Sequence, residues 1–308
     1  MNTSYPNLFV PGAGKSGTSA LHEYLDQHPK IGMSIKKEPH FWTRIDFSEL
    51  TKTEHDAYLA LFPDESNLVY RGESSTGYML FPNFIEHIQT HYNNPPKFIF
   101  LLRNPVERCY SHYWWLKGMG SEKLPFKDAV LADFDLEPSP ITKLPEANYK
   151  SYFQYGLYAK WLNRFYDAFG KENIKIICSE DLKEDPLHSL NECFRFLGLE
   201  PIEKIEEFNT NQTIIHRHSF LYKWAKRIAF NQSDIPRFIK KLTPKTMKHR
   251  IKTDLIPAVE RFTSTDLSYP VMDEKDRKWL SQLYADDVVM LRSLTGMEFN
   301  KWADFNQR

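Results

Sequence analysis

The sequence predicts a single α/β domain in which a central parallel sheet is flanked by helices. Three short apolar runs, at residues 8–10, 97–102 and 174–178, have the composition of buried strands. Each run is followed by apolar residues at helical spacing, and strands that alternate with helices are typical of a parallel sheet. The run at residues 97–102 is the clearest, since its five consecutive apolar residues fit a strand that is covered on both faces.

The same patterns predict the other elements. Weaker strand signals lie at residues 31–34 and 69–73. The predicted helices lie at residues 46–62, 81–92, 106–116, 155–169, 188–197 and 273–294. Residues 117–148 carry glycine and proline at intervals, which predicts a long, partly mobile segment that covers a site. The domain is expected to span residues 1–308, with a core at about 5–200 on which a basic helical segment at about 216–252 and the last helix pack.

Composition and cysteine content limit the class of protein. A chain of 308 residues that is 41% apolar can bury a sizeable core, and its formal net charge of zero gives no indication of nucleic-acid binding. Cys109, Cys178 and Cys193 are odd in number and lack the spacing of a metal site or redox pair, so reduced thiols are expected. The sequence shows no charged-then-apolar leader and no apolar stretch of about 18 residues. We therefore expect a cytoplasmic protein without membrane insertion.

Residues 7–25 combine a strand, a glycine-rich turn and a helix start in the order of an anion-binding site. The turn reads Pro-Gly-Ala-Gly, and glycine lets the backbone approach an oxyanion closely. The first amides of a helix have no partner within the helix, and the helix dipole favours negative charge there. Lys15 adds a mobile positive charge. Ser16, Thr18 and Ser19 add hydroxyl donors, so this stretch is predicted to bind a phosphate compound.

A nucleotide triphosphatase is one candidate for such a site. Gly14 and Lys15 form the glycine-lysine pair of a P-loop, but that loop has another glycine five residues before the pair, where this chain has Phe9. A neighbouring strand of such an enzyme would end in a magnesium-binding acidic residue, and here that residue is Arg103. A P-loop kinase or triphosphatase is therefore kept as the alternative.

A second candidate phosphate site lies at residues 101–113. Arg103 follows the clearest strand, and Ser111 lies about two turns into the next helix. The planar fork of arginine can hold a phosphate with two hydrogen bonds, and a serine hydroxyl can add a third. Taken alone, the pair fits equally well an arginine at the sheet edge beside a small packing serine. Lys15, Glu73 and Arg103 all follow predicted strands, which places them at the edge of the sheet where ligands bind.

Together these motifs resemble the sulfotransferases that use 3′-phosphoadenosine-5′-phosphosulfate (PAPS). Residues 11–19 are similar to their 5′-phosphosulfate-binding loop, and residues 101–113 are similar to their 3′-phosphate-binding segment. Further similar segments lie at residues 37–42, 155–158, 179–182 and 283–302. The resemblance covers about two-thirds of the chain and is closer to the heparan-sulfate-modifying branch and its bacterial relatives than to the cytosolic phenol and steroid branch.

The resemblance implies PAPS as sulfuryl donor and 3′-phosphoadenosine-5′-phosphate (PAP) as product, with no metal. The residues that it assigns to the nucleotide are Gly14, Lys15, Ser16, Gly17, Thr18, Ser19, Arg103 and Ser111. Lys15 is expected to neutralise the bridging oxygen as the nucleotide leaves. Arg217 and Ser219 are assigned more weakly, because relatives often place arginines before a serine here and this chain has His216 and His218.

The acceptor must lose a proton during transfer, so a base is needed. Glu73 is the first candidate, because its context, a strand end before a small polar loop, is similar to that of the base glutamate in the heparan-sulfate branch. His40 is the second candidate, because imidazole titrates near neutral pH.

The nature of the acceptor remains open at the level of sequence. The resemblance fits a hydroxyl or amine of a glycan or of a small natural product, and the oligomeric state is not indicated. A non-catalytic module that binds polyanions is the alternative from a different class of function. Residues 216–252 contain eleven lysines and arginines but only one acidic residue, Asp234. Nucleic acid is a poorer fit, since this segment shows no interleaved aromatic platform.

Overall fold

A five-stranded parallel sheet forms the centre of the computed structural model, which describes residues 5–43, 47–64, 67–134, 150–206, 215–216, 264–265 and 269–306. This confirms the predicted fold class. The strands are β1 (Leu8–Val10), β2 (Ile31–Met33), β3 (Tyr70–Ser74), β4 (Lys97–Leu102) and β5 (Ile174–Cys178). Their order in the sheet is β2-β3-β1-β4-β5, so the first strand lies in the middle. A two-residue antiparallel pair, β6 (Ile215–His216) with β7 (Ser264–Thr265), lies outside this sheet.

Helices cover both faces of the sheet. They are α1 (Thr18–Leu25), α2 (Lys52–Leu59), α3 (Pro82–His91), α4 (Pro105–Gly118), α5 (Phe126–Phe134), α6 (Tyr158–Phe169), α7 (Ser179–Glu184), α8 (Pro186–Phe196) and α9 (Glu274–Thr295). Alternate residues of β1 point to opposite faces, as the pleat of a strand requires. Phe9 joins the cluster formed with α3, α4, α6 and α9, whereas Leu8 and Val10 join the cluster formed with α1 and α8. The central strands are therefore buried on both sides.

The structure differs from the sequence prediction in three segments. The helix expected at residues 46–62 is limited to α2, because Thr51 begins it with a capping box closed by Glu54. The segment expected to be a long connection contains α5, and its residues 135–149 lie outside the described residues. The helix expected at residues 155–169 begins at Tyr158, after a separate turn of 3₁₀ helix. Residues 217–252 of the basic segment, with Arg217 and Ser219, also lie outside the described residues.

All three cysteines are buried free thiols. Across the described ranges, no group of three or more His, Cys, Asp or Glu side chains is arranged to hold a metal ion. No helix in those ranges is both long and apolar enough to cross a membrane.

Candidate active site

The loop between β1 and α1 is built around close backbone contacts with β4. Ala13 N–H donates to the Leu101 carbonyl at 2.8 Å, and Leu101 N–H donates back to the Gly12 carbonyl at 2.9 Å. Gly17, with φ of 98°, precedes α1 in a left-handed conformation and offers no side chain to cap it. The N-terminus of α1 therefore points its amides into the loop without a protein cap, as an anion site requires.

Lys15 lies at the centre of this loop. Its backbone is left-handed, with φ of 70°, and its ammonium Nζ lies 5.1 Å from the ring centroid of Trp115 on α4. Burial lowers the pKa of Lys15 to about 8, and the positive charges of Arg103, Lys37 and Arg108 act in the same direction. An ammonium held among other cations in a half-buried loop is poised to accept an anionic partner.

The polar and glycine residues after Lys15 differ in their exposure to solvent. Ser16 and Thr18 are buried, whereas Gly17 and Ser19 are exposed. The buried Ser16 hydroxyl lies near the Tyr158 phenol, but no hydrogen bond of ordinary geometry joins it to a described residue. Such a hydroxyl fits a ligand oxygen.

Gly14 does not offer its amide to a ligand in this structure. Its N–H donates to the Tyr155 hydroxyl at 2.7 Å. A β-carbon at this position would lie 3.0 Å from the Tyr155 ring, so the position favours glycine through lack of space. Gly14 therefore shapes the loop, and its amide is hydrogen-bonded to Tyr155 in this structure.

Arg103 lies at the same edge of the sheet as Lys15. Its Nη1 donates to the Lys15 carbonyl at 3.2 Å, and its Nη2 lies 3.4 Å from the Glu107 carboxylate one turn along α4. Asn104 begins α4 by accepting a hydrogen bond from Val106 N–H, which directs the chain away from β4 just after Arg103. The two predicted phosphate-binding groups are thus joined directly, although 88 residues separate them in the chain.

One further residue of this region was not found from the sequence. Arg277 on α9 binds Glu107, and it also binds Asp304 at 2.8 Å. Arg277 and Arg103 thereby share the Glu107 carboxylate, each contacting a different oxygen. The signal for this contact was absent from the sequence, because 170 residues separate Arg277 from Glu107. Ser111, the predicted partner of Arg103, is buried on α4 about two turns into the helix.

Glu73 lies at the carboxyl end of β3, but its carboxylate is enclosed. The residue has no solvent exposure, and its two oxygens accept hydrogen bonds from the hydroxyls of Tyr58, Tyr78 and Ser75. Burial raises the pKa of Glu73, and the three hydroxyl hydrogen bonds oppose this rise. Because both oxygens are held by protein donors away from solvent, the geometry argues against direct contact between Glu73 and an acceptor.

Glu38 is the carboxylate that the sequence analysis overlooked. One oxygen accepts from Lys37 Nζ at 2.8 Å, and the other lies 3.0 Å from His40 Nε2. Thr76 donates to the same carboxylate from its N–H and its hydroxyl, each at 3.0 Å. Burial alone raises the pKa of Glu38, but Lys37 and His40 outweigh it and lower the pKa to about 2. Glu38 is therefore ionised at every working pH, and 28% of its side chain is exposed.

The segment that carries Glu38 and His40 has an uncommon backbone. Both residues have positive φ, 58° and 51°, a conformation that costs about 1–3 kcal/mol for a residue other than glycine. Glu38 N–H donates to the Ser74 carbonyl and His40 N–H donates to the Ser75 hydroxyl, which hold the strained backbone against the end of β3. The Ser75 hydroxyl also donates to Glu73, so the buried carboxylate helps to fix the position of His40 through Ser75.

The carboxyl edge of the parallel sheet carries three features: a glycine-rich loop with a lysine, a helix start without a cap, and an arginine. Together they define an α/β domain that binds a phosphorylated ligand. The chain belongs to the sulfotransferase family, since the family described as "Sulfotransferase domain" matches residues 6–274. The fold agrees with this: a crystal structure of a sulfotransferase from Alicyclobacillus acidocaldarius has a TM-score of 0.64 at 26% identity, covering 97% of this chain and 99% of that one.

The names of two curated relatives describe them as sulfotransferases of carbohydrates. Mouse carbohydrate sulfotransferase 15 is 26% identical over 253 residues, which covers 66% of this chain and 45% of the relative. Human heparan sulfate glucosamine 3-O-sulfotransferase 3B1 is 27% identical over 217 residues, which covers 68% of this chain and 50% of the relative. The chain thus spans about half the length of these two relatives.

Proposed function

We propose that this protein transfers the sulfuryl group of PAPS to a hydroxyl or amine of a glycan or small molecule. The observation that carries the proposal is the hydrogen bond from Arg103 Nη1 to the Lys15 carbonyl at 3.2 Å. It brings two anion-binding groups to one edge of the sheet, as a nucleotide with separate 5′- and 3′-phosphates requires. The uncapped start of α1 and the buried Ser16 hydroxyl add donors at the 5′ side.

The residues of this site have separate roles in an in-line transfer. In the reaction a bond forms between the acceptor atom and sulfur, and the bond from sulfur to the bridging phosphate oxygen breaks, leaving PAP with the electron pair. Lys15 stabilises the charge that develops on that oxygen. Arg103 and Ser111 hold the 3′-phosphate and so orient the donor. As in phosphoryl transfer, the protein contributes position and charge rather than a covalent intermediate.

The acceptor proton passes to the pair formed by Glu38 and His40. Imidazole as a chemical group titrates near neutral pH, which suits a general base. The ionised Glu38 carboxylate, 3.0 Å from His40 Nε2, orients the ring and stabilises the imidazolium that forms. His40 was one of the two bases expected from the sequence, and Glu73 supports it through Ser75 instead of acting directly.

A glycan is the favoured acceptor, because the names of both curated relatives given above specify carbohydrate substrates. A panel of heparan sulfate and chondroitin sulfate oligosaccharides, with simple phenols as the small-molecule arm, tests this with PAPS labelled in the sulfuryl group. Transfer to an oligosaccharide supports the glycan proposal, and transfer only to phenols contradicts it.

Calorimetry separates the donor proposal from the kinase alternative, which the family match does not favour. PAP is expected to bind without metal and much more tightly than ATP with magnesium. Absence of PAP binding, or equal binding of the two nucleotides, would contradict the proposed function.

The affinity for PAP is expected to fall as pH rises through about 8. Below that pH Lys15 carries its charge in the free protein, and above it a proton must be taken up on binding. The phosphates of PAP are already ionised there, since their second pKa is about 6. The dissociation constant should therefore rise by up to about tenfold per pH unit above 8. Lys15→Arg keeps its charge at every pH of the experiment, so its dissociation constant should not rise above pH 8. An equal rise in that variant would contradict the assignment of this pH dependence to Lys15.

Replacement of Arg103 by alanine is expected to weaken PAP binding by about 10- to 100-fold, the size of a charge-assisted contact. The matched ligand is adenosine 5′-monophosphate, which lacks the 3′-phosphate and should bind the variant and the wild type almost equally. Calorimetry with both nucleotides makes the comparison. Equal losses for the two ligands would place Arg103 elsewhere than at the 3′-phosphate.

A further inference from the structure

Tyr155 connects the loop that carries Lys15 with the segment that holds Glu38. The residue is fully buried in the turn before α6. Its hydroxyl accepts a hydrogen bond from Gly14 N–H at 2.7 Å and donates one to the Thr76 carbonyl. One phenol therefore bridges the residue next to Lys15 and the residue whose N–H and hydroxyl hold Glu38.

The segment that carries Tyr155 is itself anchored by buried charges. Asp133 accepts a hydrogen bond from Gln154 N–H at 2.9 Å. Arg108 is fully buried, donates to the Tyr152 carbonyl and has its guanidinium carbon 4.9 Å from the centre of the Tyr155 ring. Since the ring is held on one side by a cation and at its tip by two backbone groups, the hydroxyl has little freedom to move.

We propose that Tyr155 is a positioning residue that fixes the distance between the sulfuryl donor loop and the Glu38–His40 pair. This inference rests on the proposed function. Transfer requires the leaving oxygen beside Lys15 and the acceptor proton beside His40 to be aligned at the same time, and a displacement of about 1 Å can cost a factor of about 100 in rate. The bridge runs from Gly14 through the phenol to Thr76 and from there to Glu38, so it spans that distance.

The test variant is Tyr155→Phe, which keeps the ring and removes both hydrogen bonds of the hydroxyl. We expect kcat for the best acceptor of the oligosaccharide and phenol panel to fall at least about tenfold. The dissociation constant of PAP should change less than about threefold, because Arg103 and the amides of α1 remain in place. A residue needed only for packing would instead lower the fraction of folded protein, so that the apparent kcat and the number of PAP-binding sites would fall together.

Tyr70→Phe is the matched control. Tyr70 is also a tyrosine whose hydroxyl donates to a backbone carbonyl, that of Leu197 at 2.9 Å, but it begins β3 at the opposite end of the sheet. Its kcat and PAP affinity should equal those of the wild type.

Thr76→Val provides a second variant if Tyr155→Phe does not fold. It removes the hydroxyl that donates to Glu38 at 3.0 Å and leaves the carbonyl that Tyr155 binds. A fall in kcat with unchanged PAP affinity, in either variant, supports the proposal. A parallel fall of kcat and PAP affinity, or no change in either, overturns it. A wild type that neither binds PAP nor transfers sulfate would instead refute the proposed function, so the two failures are distinguishable.

Discussion

Replacement of Lys15 by alanine is expected to lower the single-turnover rate of sulfuryl transfer by about 10²- to 10³-fold, the range for a preorganised group that stabilises developing charge. The ammonium lies in a half-buried loop among Arg103, Lys37 and Arg108, where Coulomb interactions are stronger than in water. Its charge is needed most when the bridging oxygen becomes negative, so the rate of the chemical step should fall more than the affinity for PAP. Rapid-quench kinetics with labelled PAPS measures the step directly.

Two variants control this experiment. Lys15→Arg keeps the charge but changes the geometry, and should retain more activity than Lys15→Ala. Tyr70→Phe alters a residue at the opposite end of the sheet, whose hydroxyl donates to the Leu197 carbonyl, and should keep the wild-type rate. An unchanged single-turnover rate in Lys15→Ala would remove the lysine from the chemical step, even if PAP binding were weakened.

Replacement of Glu38 by glutamine is expected to lower kcat by about 10²- to 10⁴-fold, with PAP affinity nearly unchanged. Glutamine keeps the shape of the side chain but loses the negative charge that faces Lys37 and His40. The imidazolium formed on proton transfer would then lack its counter-ion. Steady-state kinetics with the best acceptor, together with PAP calorimetry, separates the catalytic loss from any loss of binding.

Glu73→Gln is the matched comparison, since the same chemical change is made in the neighbouring carboxylate. Glu73 is fully buried under three hydroxyls, so the variant should lose thermal stability while keeping activity within about tenfold of the wild type. If Glu73→Gln were inactive and Glu38→Gln fully active, the base would have to be reassigned to Glu73.

The strongest local patterns were sufficient to predict much of the sheet and the placement of Lys15 and Arg103 at one edge of it. The bounds of β4 and β5 agree with the apolar runs, because a strand covered on both faces needs apolar side chains at most of its positions. Lys15 and Arg103 were expected at one edge, because each follows a strand, and parallel strands end at a common edge. The contact at 3.2 Å confirms that expectation.

The part of the site proposed to meet the acceptor, formed by Glu38 and His40, was harder to predict from the sequence. Glu73 and Glu38 both precede small polar or turn-forming segments, and local sequence does not say which carboxylate is enclosed by aromatic hydroxyls. Tyr58 and Tyr78 reach Glu73 from separate elements, and their burial of it is a property of the packed core. The same applies to Tyr155, whose two partners lie 141 and 79 residues away in the chain.

The sequence by itself determined the α/β class, the lysine loop and the arginine after β4, because strand burial and anion binding act through residues close together in the chain. Only the tertiary structure decided which carboxylate meets His40, which one is sealed in the core, and how Tyr155 ties the loop to Thr76. Those outcomes depend on desolvation and on hydrogen bonds between distant segments, and such interactions exist only once the chain has packed.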